Sequence, residues 1–396
     1  MTAPPATVTD VTYINASING KTGTLSISGG EIVAVDAAPR RGDLVVDLHG
    51  DRLLPGLINA HDHLQLNNLP ALDVVGRYRH VQEWIADINR RRQSDPTFEA
   101  HIAIAREARL LVGGIKNLLS GVTTVAHHDP LYPFLKEPVF PVAVVANYGW
   151  SHSLYIDTSA KVSEAYLATP ADWPWIVHAA EGVDDEAATE FEHLDRLGCI
   201  KPNTVLVHGV ALDRTQQQRL RRAQAALIWC PSSNIRLFGK SAEVDYLIRY
   251  GRVALGTDSR LSGSRDLLEE LQVAGQQGGF DDATLESLVT RRPARILRLA
   301  DRGALGVGMR ADLLIIPAGA RLSSARRADV RLVMVSGEVR YGDAEYALAH
   351  GPETHWTRIQ VDGAQKMLAR RIAAAMYRSN LVENGLELPD RIERAA

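Results

Sequence analysis

Apolar and polar positions alternate with a period of two at both ends of the chain. "VTYINASI", "GTLSISGGEIVAVDA" and "GDLVVDLHG" follow one another before residue 55, with glycine and asparagine at the turns. The pattern returns near the other end in "GALGVGMRADLLIIP" and "VRLVMVSGEVRYGD". Such alternation between turn residues is typical of antiparallel strands. It predicts a small β-sandwich domain built from residues 1–55 and 303–345.

Between these ends, apolar runs of strand length alternate with stretches of helical spacing. The runs are "GLINAHDH", "GVTTVAHH", "PVAVVANYGW", "WIVHAAEG", "TVLVHGV", "ALIWCPSSN" and "VALGTDS". So many alternations predict a parallel α/β fold, a (β/α)8-type TIM barrel over residues 56–302. Seven strands are clear; an eighth lies near "SLYI", or the barrel is irregular there. Helical spacing from about Thr354 predicts a C-terminal helical extension over residues 346–396.

The first run of the predicted barrel ends in three ionisable side chains. Residues two apart in a strand face the same way, so His61 and His63 point together and Asp62 points away. Burying polar groups beside an apolar strand is costly unless they are paired or hold a metal. The two imidazoles therefore indicate half of a metal site.

Further ligand-type side chains stand at the ends of later strands. "WIVHAAEG" carries His178 and Glu181, "TVLVHGV" carries His208, and "VALGTDS" carries Asp258. Active sites of β/α barrels are built at the carboxyl ends of the strands, so these groups should converge. Three histidines and one carboxylate suit Zn²⁺ or Fe²⁺. Glu181 and His208 are then acid–base candidates around a metal-activated water.

Taken in order, these motifs resemble the amidohydrolase superfamily, in the branch of cytosine, guanine and adenosylhomocysteine deaminases and triazine hydrolases. The matching elements are "PGLINAHDH", "GVTTV", "HAAE", "VHGV", "CPSSN" and "GTDS", and the likeness extends to about residue 342. The resemblance implies one divalent metal, zinc in preference to iron. It implies metal ligands at His61, His63, His178 and Asp258, and catalytic residues at Glu181, His208 and Asp258.

Some members of that superfamily hold two metals bridged by a carboxylated lysine. No strand here ends in lysine, and Lys116 lies in a helical stretch. The sequence therefore predicts a mononuclear site.

Two substrate-binding features of the nucleoside-deaminase relatives are missing. No strand that would supply a further substrate-binding histidine is recognisable between the third strand and "HAAE", and "LQLNNLPALDVVGRYRH" replaces the acidic motif after the first strand. One residue of the pair His127 and His128 should face the interior, and we expect it to be His127. The substrate-binding residues are expected to be Gln65, His127, His152 and Asn234.

The predicted reaction is hydrolytic deamination of an amino-substituted nitrogen heterocycle. A neutral substrate fits because the expected mouth has aromatic side chains and few charged ones, the aromatics being Trp84, Trp150 and Phe238. Opening of a cyclic amide or displacement of halide by the same site is the alternative chemistry. A non-catalytic binding protein is the alternative of another class, and the completeness of the residue set argues against it.

Composition and charge limit the kinds of molecule that the chain is expected to bind. The 396 residues are 45% hydrophobic with a formal net charge of −3, which gives no electrostatic footprint for nucleic acid. No apolar run approaches the roughly 20 residues that span a bilayer, and no signal peptide is visible. Cys199 and Cys230 form no disulfide framework. We expect a cytoplasmic enzyme with a small-molecule substrate and no nucleic-acid or membrane partner, and leave a homo-oligomer open.

Overall fold

The computed structural model describes residues 10–389. Its first strands form a sheet in which β1 pairs antiparallel with β2 and β2 antiparallel with β3, while β4 lies parallel to β1. The strands are β1 (Val11–Ile18), β2 (Lys21–Ser28), β3 (Glu31–Val35), β4 (Leu44–Asp47) and β5 (Arg52–Pro55). Alternate side chains such as Leu25 and Ile27 are buried, in keeping with the period-two pattern.

Eight parallel strands follow in chain order. They are β6 (Leu57–Asp62), β7 (Val122–His127), β8 (Ala143–Val144), β9 (Gly149–Ser153), β10 (Trp175–Ala179), β11 (Thr204–His208), β12 (Ala226–Trp229) and β13 (Val253–Leu255). Strands β6–β8 form one parallel sheet and β9–β13 another. Beyond β13, the amide of Asp258 donates to the carbonyl of His61 at 3.1 Å. The predicted α/β class with parallel strands is confirmed.

The strand missing from the sequence-based count lies earlier than expected. The single apolar run "PVAVVANYGW" contains both β8 and the start of β9. The stretch "SLYI" instead begins a turn, because the amide of Asp157 donates to the carbonyl of Ser153 at 2.9 Å. A strand does end at the start of "SLYI", because β9 includes Ser153. It was not counted separately because β8 has only two residues and the two strands share one run in the hydrophobic pattern.

Helices connect these strands and cover their outer faces. They are α1 (Val81–Ser94), α2 (Pro96–Ala103), α3 (Arg106–Leu119), α4 (Ser159–Ala168), α5 (Asp185–Arg196), α6 (Arg214–Arg222), α7 (Pro231–Phe238), α8 (Asp245–Arg249), α9 (Leu267–Gly278), α10 (Asp282–Leu288), α11 (Arg291–Ile296), α12 (Ala344–Ala349) and α13 (Arg370–Ser379). In the part of the chain that is described, every helix falls short of the length and apolarity needed to cross a membrane.

Small and β-branched side chains fill the space between the parallel strands. We call this the inner cluster; among its members are Ile58, Ala60, Ala126, Ile176, Val205, Val207, Ile228 and Ala254, with Ala294 and Ile296 of α11. Larger apolar side chains on the opposite strand faces pack in a separate cluster with the helices. Since both faces of each strand are buried, the strands read as continuous apolar runs.

The last strands extend the first sheet. They are β14 (Leu313–Ile316), β15 (Leu332–Val335), β16 (Glu338–Gly342), β17 (Trp356–Val361), β18 (Ala364–Ala369) and β19 (Leu386–Glu387). Strand β14 pairs antiparallel with β5, which joins both ends of the chain in one 11-stranded sheet.

The segment after residue 346 is not the helical extension that its spacing predicted. It begins with α12, continues as the hairpin of β17 and β18, and then forms α13. The hairpin turns at Asp362 and Gly363, whose φ angles are +49° and +82°. An Asp-Gly pair with two positive φ angles is a typical two-residue hairpin turn, and its signal outweighs the helical spacing around it.

A buried ion cluster ties the end of the described chain to the loop after β13. Glu383 is fully buried and pairs with the guanidinium groups of Arg260 and Arg327. The amide of Arg260 donates to Asn67 Oδ1 at 2.9 Å, and Arg327 Nε donates to Asp266 Oδ2 at 2.6 Å. The C-terminal segment thus supports the loop that carries Asp258.

Candidate metal-binding active site

A bulge at the end of β6 turns two histidines towards the interior. Ala60 belongs to the inner cluster, so strict alternation would place Asp62 inside and not His61 and His63. The pairing of β6 with β7 shifts by one residue between Asn59 and Asp62. A bulge of this kind re-aims the side chains that follow it and is frequent beside active sites.

Four buried side chains converge beyond the bulge. His178 Nε2 lies 3.4 Å from both His61 Nε2 and His63 Nε2. Asp258 Oδ1 lies 3.9 Å from the same two nitrogens of His61 and His63. The structure therefore brings together the four residues predicted as metal ligands, although their role as ligands stays a prediction.

Hydrogen bonds fix the protons of two of these imidazoles away from the centre. His63 Nδ1 lies 3.0 Å from Asp129 Oδ2, and His178 Nδ1 lies 2.7 Å from the carbonyl of His152. Both partners can only accept, so each proton is on Nδ1 and the lone pair is on Nε2. Lone pairs that face one another in a buried space fit a divalent cation.

The protonation of the histidines supports this fit. Burial lowers the pKa of His61 and of His178 well below the ordinary value, so both rings are neutral. Burial also opposes the charge on His63, but the hydrogen bond and charge of Asp129 raise its pKa. A metal and a proton would therefore compete for Nε2 of His63.

Serines and a backbone amide orient Asp258. Ser233 Oγ and Ser262 Oγ each donate to Asp258 Oδ2 at 2.7 Å, and the amide of Ser259 donates to Oδ1 at 2.7 Å. Burial alone would raise the pKa of Asp258, but His63 and these donors lower it. The carboxylate is thus charged, with Oδ1 turned to the histidines.

Glu181 and His208 form a second pair beside the histidines. His208 Nε2 lies 3.5 Å from Glu181 Oε1, and His208 Nδ1 lies 2.9 Å from Asn234 Oδ1. Alternation from Val207 would turn His208 outwards, but its φ of +74° bends the strand end, and its ring lies 5.3 Å from that of His178. Burial, with the charge of Asp258, raises the pKa of Glu181 well above its ordinary value.

The pair of histidines at the end of β7, His127 and His128, is oriented opposite to the expectation. Ala126 belongs to the inner cluster, so His128 faces the interior and His127 does not. The ring of His128 stacks on His178 at 4.3 Å, while His127 Nδ1 lies 3.4 Å from the carbonyl of Asp62. The expectation that His127 faces the interior is wrong. The missed signal was the inward-facing Ala126, since residues two apart in a strand face the same way.

The other predicted substrate contacts surround the ligand set. Gln65 Nε2 donates to Asp129 Oδ2 at 2.7 Å. The ring of His152 lies 5.2 Å from that of His178. Asn234 is turned to His208, as described above. Their contact with a substrate stays a prediction.

Two residues near the centre were missed by sequence reasoning. His128 is one of four histidines, with His61, His63 and His178, that each offer one ring nitrogen within 4.8 Å of the others. Asp129 lies outside that set but accepts from His63. Both stand in the motif "HHD", whose position at the carboxyl end of β7 was the available signal.

An apolar cover lies over this region. It is formed by the segment 64–80 and α1, packed on the loops after β11, β12 and β13; its members include Leu69, Leu72, Tyr78, Trp84, Val210, Phe238 and Leu261. The amide of Tyr78 donates to the carbonyl of Leu237, and the amide of Leu72 to that of Leu261. Of the aromatic residues expected at the mouth, Trp84 and Phe238 belong to this cover. The ring of Trp150 lies 5.6 Å from that of His128.

Comparison with known proteins confirms the resemblance. The model of the Amidohydrolase family matches residues 156–340. A 5-methylthioadenosine/S-adenosylhomocysteine deaminase of Halobacterium salinarum is 27% identical over 377 residues, which cover 80% of this chain and 87% of that protein. A 5'-deoxyadenosine deaminase of Methanothermobacter thermautotrophicus is 25% identical over 375 residues, 78% of this chain and 86% of the other.

Solved structures share the fold. An adenosine deaminase of Xanthomonas campestris with bound zinc has a TM-score of 0.66 and 20% identity, over 84% of this chain and 93% of that chain. Atrazine chlorohydrolase of Arthrobacter aurescens complexed with zinc has a TM-score of 0.69 and 17% identity, over 85% and 96%. These solved structures show the shared fold. The family match and the deaminase relatives confirm the expected metal-dependent hydrolase acting on C–N bonds other than peptide bonds.

Proposed function

We propose, from this confirmed likeness to amidohydrolases, that the chain deaminates an amino-substituted nitrogen heterocycle by hydrolysis, with one divalent metal. One observation carries the proposal: the buried Glu181 lies 3.5 Å from His208 and beside the convergent histidines, and burial raises its pKa. A positioned acid next to a metal site is the arrangement that protonation of a ring nitrogen requires.

His61, His63, His178 and Asp258 would hold the metal, because their free nitrogen and oxygen atoms converge in a buried space. Zinc is preferred over iron since imidazole and carboxylate form a common zinc set and both solved neighbours hold zinc. When bound, the metal would supply a Lewis acid that makes water a nucleophile near neutral pH.

The remaining residues would move protons. Glu181 would donate its proton to the ring nitrogen beside the attacked carbon. His208, with its proton held on Nδ1 by Asn234, presents a lone pair at Nε2 and would accept a proton from the attacking water. Asp258 would serve as the second acceptor. His208 would return its proton to the exocyclic amine, which would leave as ammonia as the carbonyl forms, and the proton held by Asp258 would restore Glu181.

The proposed substrate is a neutral, planar ring. The cover contributes mostly apolar and aromatic side chains, among them Leu69, Leu72 and Trp84. The named deaminase relatives act on adenosine-type nucleosides, which supports an amino-purine or a related ring here. Gln65 and His152 are the proposed polar contacts, because they lie beside the ligand set.

We also propose that the eight parallel strands close into a barrel over residues 56–302. The bond from Asp258 to His61 supports closure between the last strand and the first. The second proposed domain is the sheet built from residues 1–55 and 303–345, to which the hairpin after residue 346 adds strands.

The first test replaces Glu181 by glutamine. Glu181→Gln should retain metal but lose turnover by about 10²–10⁴-fold, the usual size of a general acid contribution. Metal content and steady-state kinetics are measured on the same preparation. Turnover near that of the wild type with a full metal site would refute the role of Glu181.

The second test identifies the bond that is broken. Metal-loaded enzyme is incubated with amino-purines, amino-pyrimidines and amino-triazines beside cyclic amides and chloro-triazines. Release of ammonia, ring opening and release of chloride are assayed separately. Ammonia from an amino-heterocycle is the expected result; activity confined to the amides or the chloride substrates would overturn deamination.

A further inference from the structure

The backbone of Glu181 is held from two sides by groups outside the proposed reaction. Glu190, on α5, accepts a hydrogen bond from the amide of Ala180 at its Oε2, 2.6 Å away, and another from the amide of Glu181. On the other side, the amide of Val81, at the start of α1, donates to the carbonyl of Glu181 at 3.0 Å. Both polar groups of the Glu181 peptide are therefore fixed.

The conformation that Glu190 holds is an unfavourable one. Ala180 has a φ of +53°, in the left-handed region that residues with a Cβ atom seldom adopt. Such a conformation persists when the surroundings over-determine it, and it is frequent at active sites. The Glu190 carboxylate, with 7% of the residue exposed, binds the amides on both sides of this bend. It thereby sets the direction in which the Glu181 side chain leaves the strand end.

His80 connects Glu190 to the cover. His80 Nδ1 accepts from the amide of Gln82 at 3.1 Å, so the ring proton is on Nε2. That nitrogen is buried, has no hydrogen-bond partner among residues 10–389, and lies 3.8 Å from Glu190 Oε1. The second oxygen of the Glu190 carboxylate therefore lies close to the N–H of His80.

The backbone beside His80 pairs with the backbone beside Glu181. His80 and Gly182 form an isolated antiparallel bridge, and the amide of Val183 donates to the carbonyl of Arg79 at 2.7 Å. A Cβ at Gly182 would lie 2.7 Å from that same carbonyl, so only glycine permits this close approach. The start of α1 and the strand end that carries Glu181 are thereby joined.

We propose that Glu190, supported by His80, is a positioning residue that sets the Glu181 carboxyl group and couples it to segment 79–83 of the cover. The coupling rests on the proposed role of Glu181 as the proton donor. Glu190 itself does not touch the substrate. Its effect passes through the two amides that it binds.

Hydrogen exchange followed by mass spectrometry tests the contact without any substrate. In Glu190→Ala, amides 180–181 and 79–83 should exchange faster, while amides elsewhere and the metal content stay at wild-type level. Glu192→Ala is the matched control, because Glu192 lies on the same helix and pairs with Arg219 at the surface. Unchanged exchange in Glu190→Ala, or the same increase in the control, would overturn the proposal.

Kinetics test the consequence. Glu190→Ala should lower kcat by roughly 10–100-fold with little change in KM, since misplacing a reacting group by about 1 Å costs up to 10²-fold. Glu190→Gln keeps one accepting oxygen and should recover a large part of kcat. A loss that appears in KM alone, or a Glu190→Gln variant as slow as Glu190→Ala, would contradict positioning.

A milder variant covers the case in which Glu190→Ala fails to fold. His80→Asn keeps an acceptor for the amide of Gln82, because asparagine is a good N-cap, but cannot reach Glu190. It should raise exchange at 79–83 and lower kcat by less than Glu190→Ala does; wild-type behaviour in both measurements would overturn the coupling. If Glu181→Gln turns over normally while exchange changes as expected, the proposed function fails and the contact stands.

Discussion

The two sides of the end of β6 differ in how they satisfy buried polar groups. On one side, Lys116 Nζ donates to Asp62 Oδ2 at 3.2 Å, to Asn67 Oδ1 at 2.8 Å and to Thr257 Oγ1 at 3.1 Å. Asn59 and Asn117 complete this network, in which Asn117 donates to Asp62 at 2.8 Å. Every member of this network thus finds a hydrogen-bond partner within the chain.

On the other side, three histidines face one another across a buried space. His61 Nδ1 has no partner among the described residues, and His178 Nε2 lies 3.4 Å from both His61 Nε2 and His63 Nε2. The first side is complete in the chain alone, while the second is the side at which we propose that a cation binds. A buried polar group left without a partner is therefore informative about a ligand, and a buried charge with full partners is informative about rigidity.

The largest effect is expected from removing a ligand on the incomplete side. His61→Ala should lose metal and turnover together, because metal affinity depends on each donor. The loss should exceed the roughly 10–100-fold that removal of an outer partner costs. Elemental analysis after metal-replete expression measures it, with the exposed His49→Ala as control. A full metal content in His61→Ala would show that the two sides do not differ as described.

On the complete side, we expect a substitution to lower the free energy of unfolding. Lys116→Met removes the cation from a fully buried pair and leaves Asp62 without its counter-charge. We expect a loss of about 3–5 kcal/mol in the free energy of unfolding, measured by urea denaturation of the metal-free protein. Adding Asp62→Asn should recover part of it, and the exposed Lys161→Met should cost little. Equal stability of the single and double variants would count against the pair.

Near the complete side, one carboxyl group has only half of its partners. Glu270 is fully buried; its Oε1 accepts from the amide of Ser232, and its Oε2 has no partner among the described residues. Burial raises its pKa to about 7 from 4.5. A raised pKa stabilises the fold below pH 4.5, and this contribution is lost as the pH rises to about 7.

The free energy of unfolding should fall by at most about 1.4 kcal/mol per pH unit, or by about 3 kcal/mol over the whole interval. Denaturation curves between pH 5 and pH 8 should show it in the wild type and less of it in Glu270→Gln. Glu269→Gln, exposed on the same helix, is the control. Identical slopes in the wild type and Glu270→Gln would contradict the raised pKa.

The smallest effect concerns the outer partner of a histidine on the incomplete side. Asp129→Asn keeps an acceptor for His63 Nδ1 but removes the charge. Metal affinity should fall by about 10–100-fold, measured by competition with a chelator. Asp172→Asn at the surface is the control. An unchanged affinity would mean that Asp129 does not tune His63.

The alternation of apolar runs was enough to predict the α/β class, and the polar ends of the runs were enough to select His61, His63, His178 and Asp258 for one place. Parallel strands bring their carboxyl ends together, so this grouping follows from the class alone. The pairing of β5 with β14 likewise follows from similar short-strand patterns at both ends of the chain.

The details that sequence reasoning missed depend on single backbone events. The bulge in β6 and the φ of +74° at His208 each reverse the direction of a side chain, and neither leaves a mark in the hydrophobic pattern. The choice between His127 and His128 depends on which way Ala126 faces, because His128 lies two residues after it in the same alternation. The "HHD" motif also offered Asp129, but the distance of 3.0 Å between Asp129 Oδ2 and His63 Nδ1 was needed to identify its partner.

The ion cluster around Glu383 has a consequence for synthesis of the chain on the ribosome. Glu383 follows Arg260 by 123 residues, and Arg260 stands two residues after Asp258. At about 5–20 residues per second, the counter-charge of Arg260 is made roughly 6–25 s after the loop that it supports. During that interval the parallel strands and all proposed ligands already exist, but the loop of Asp258 lacks its buried partner. Maturation of the metal centre is therefore expected to follow translation of the C-terminal segment, and not that of the last strand.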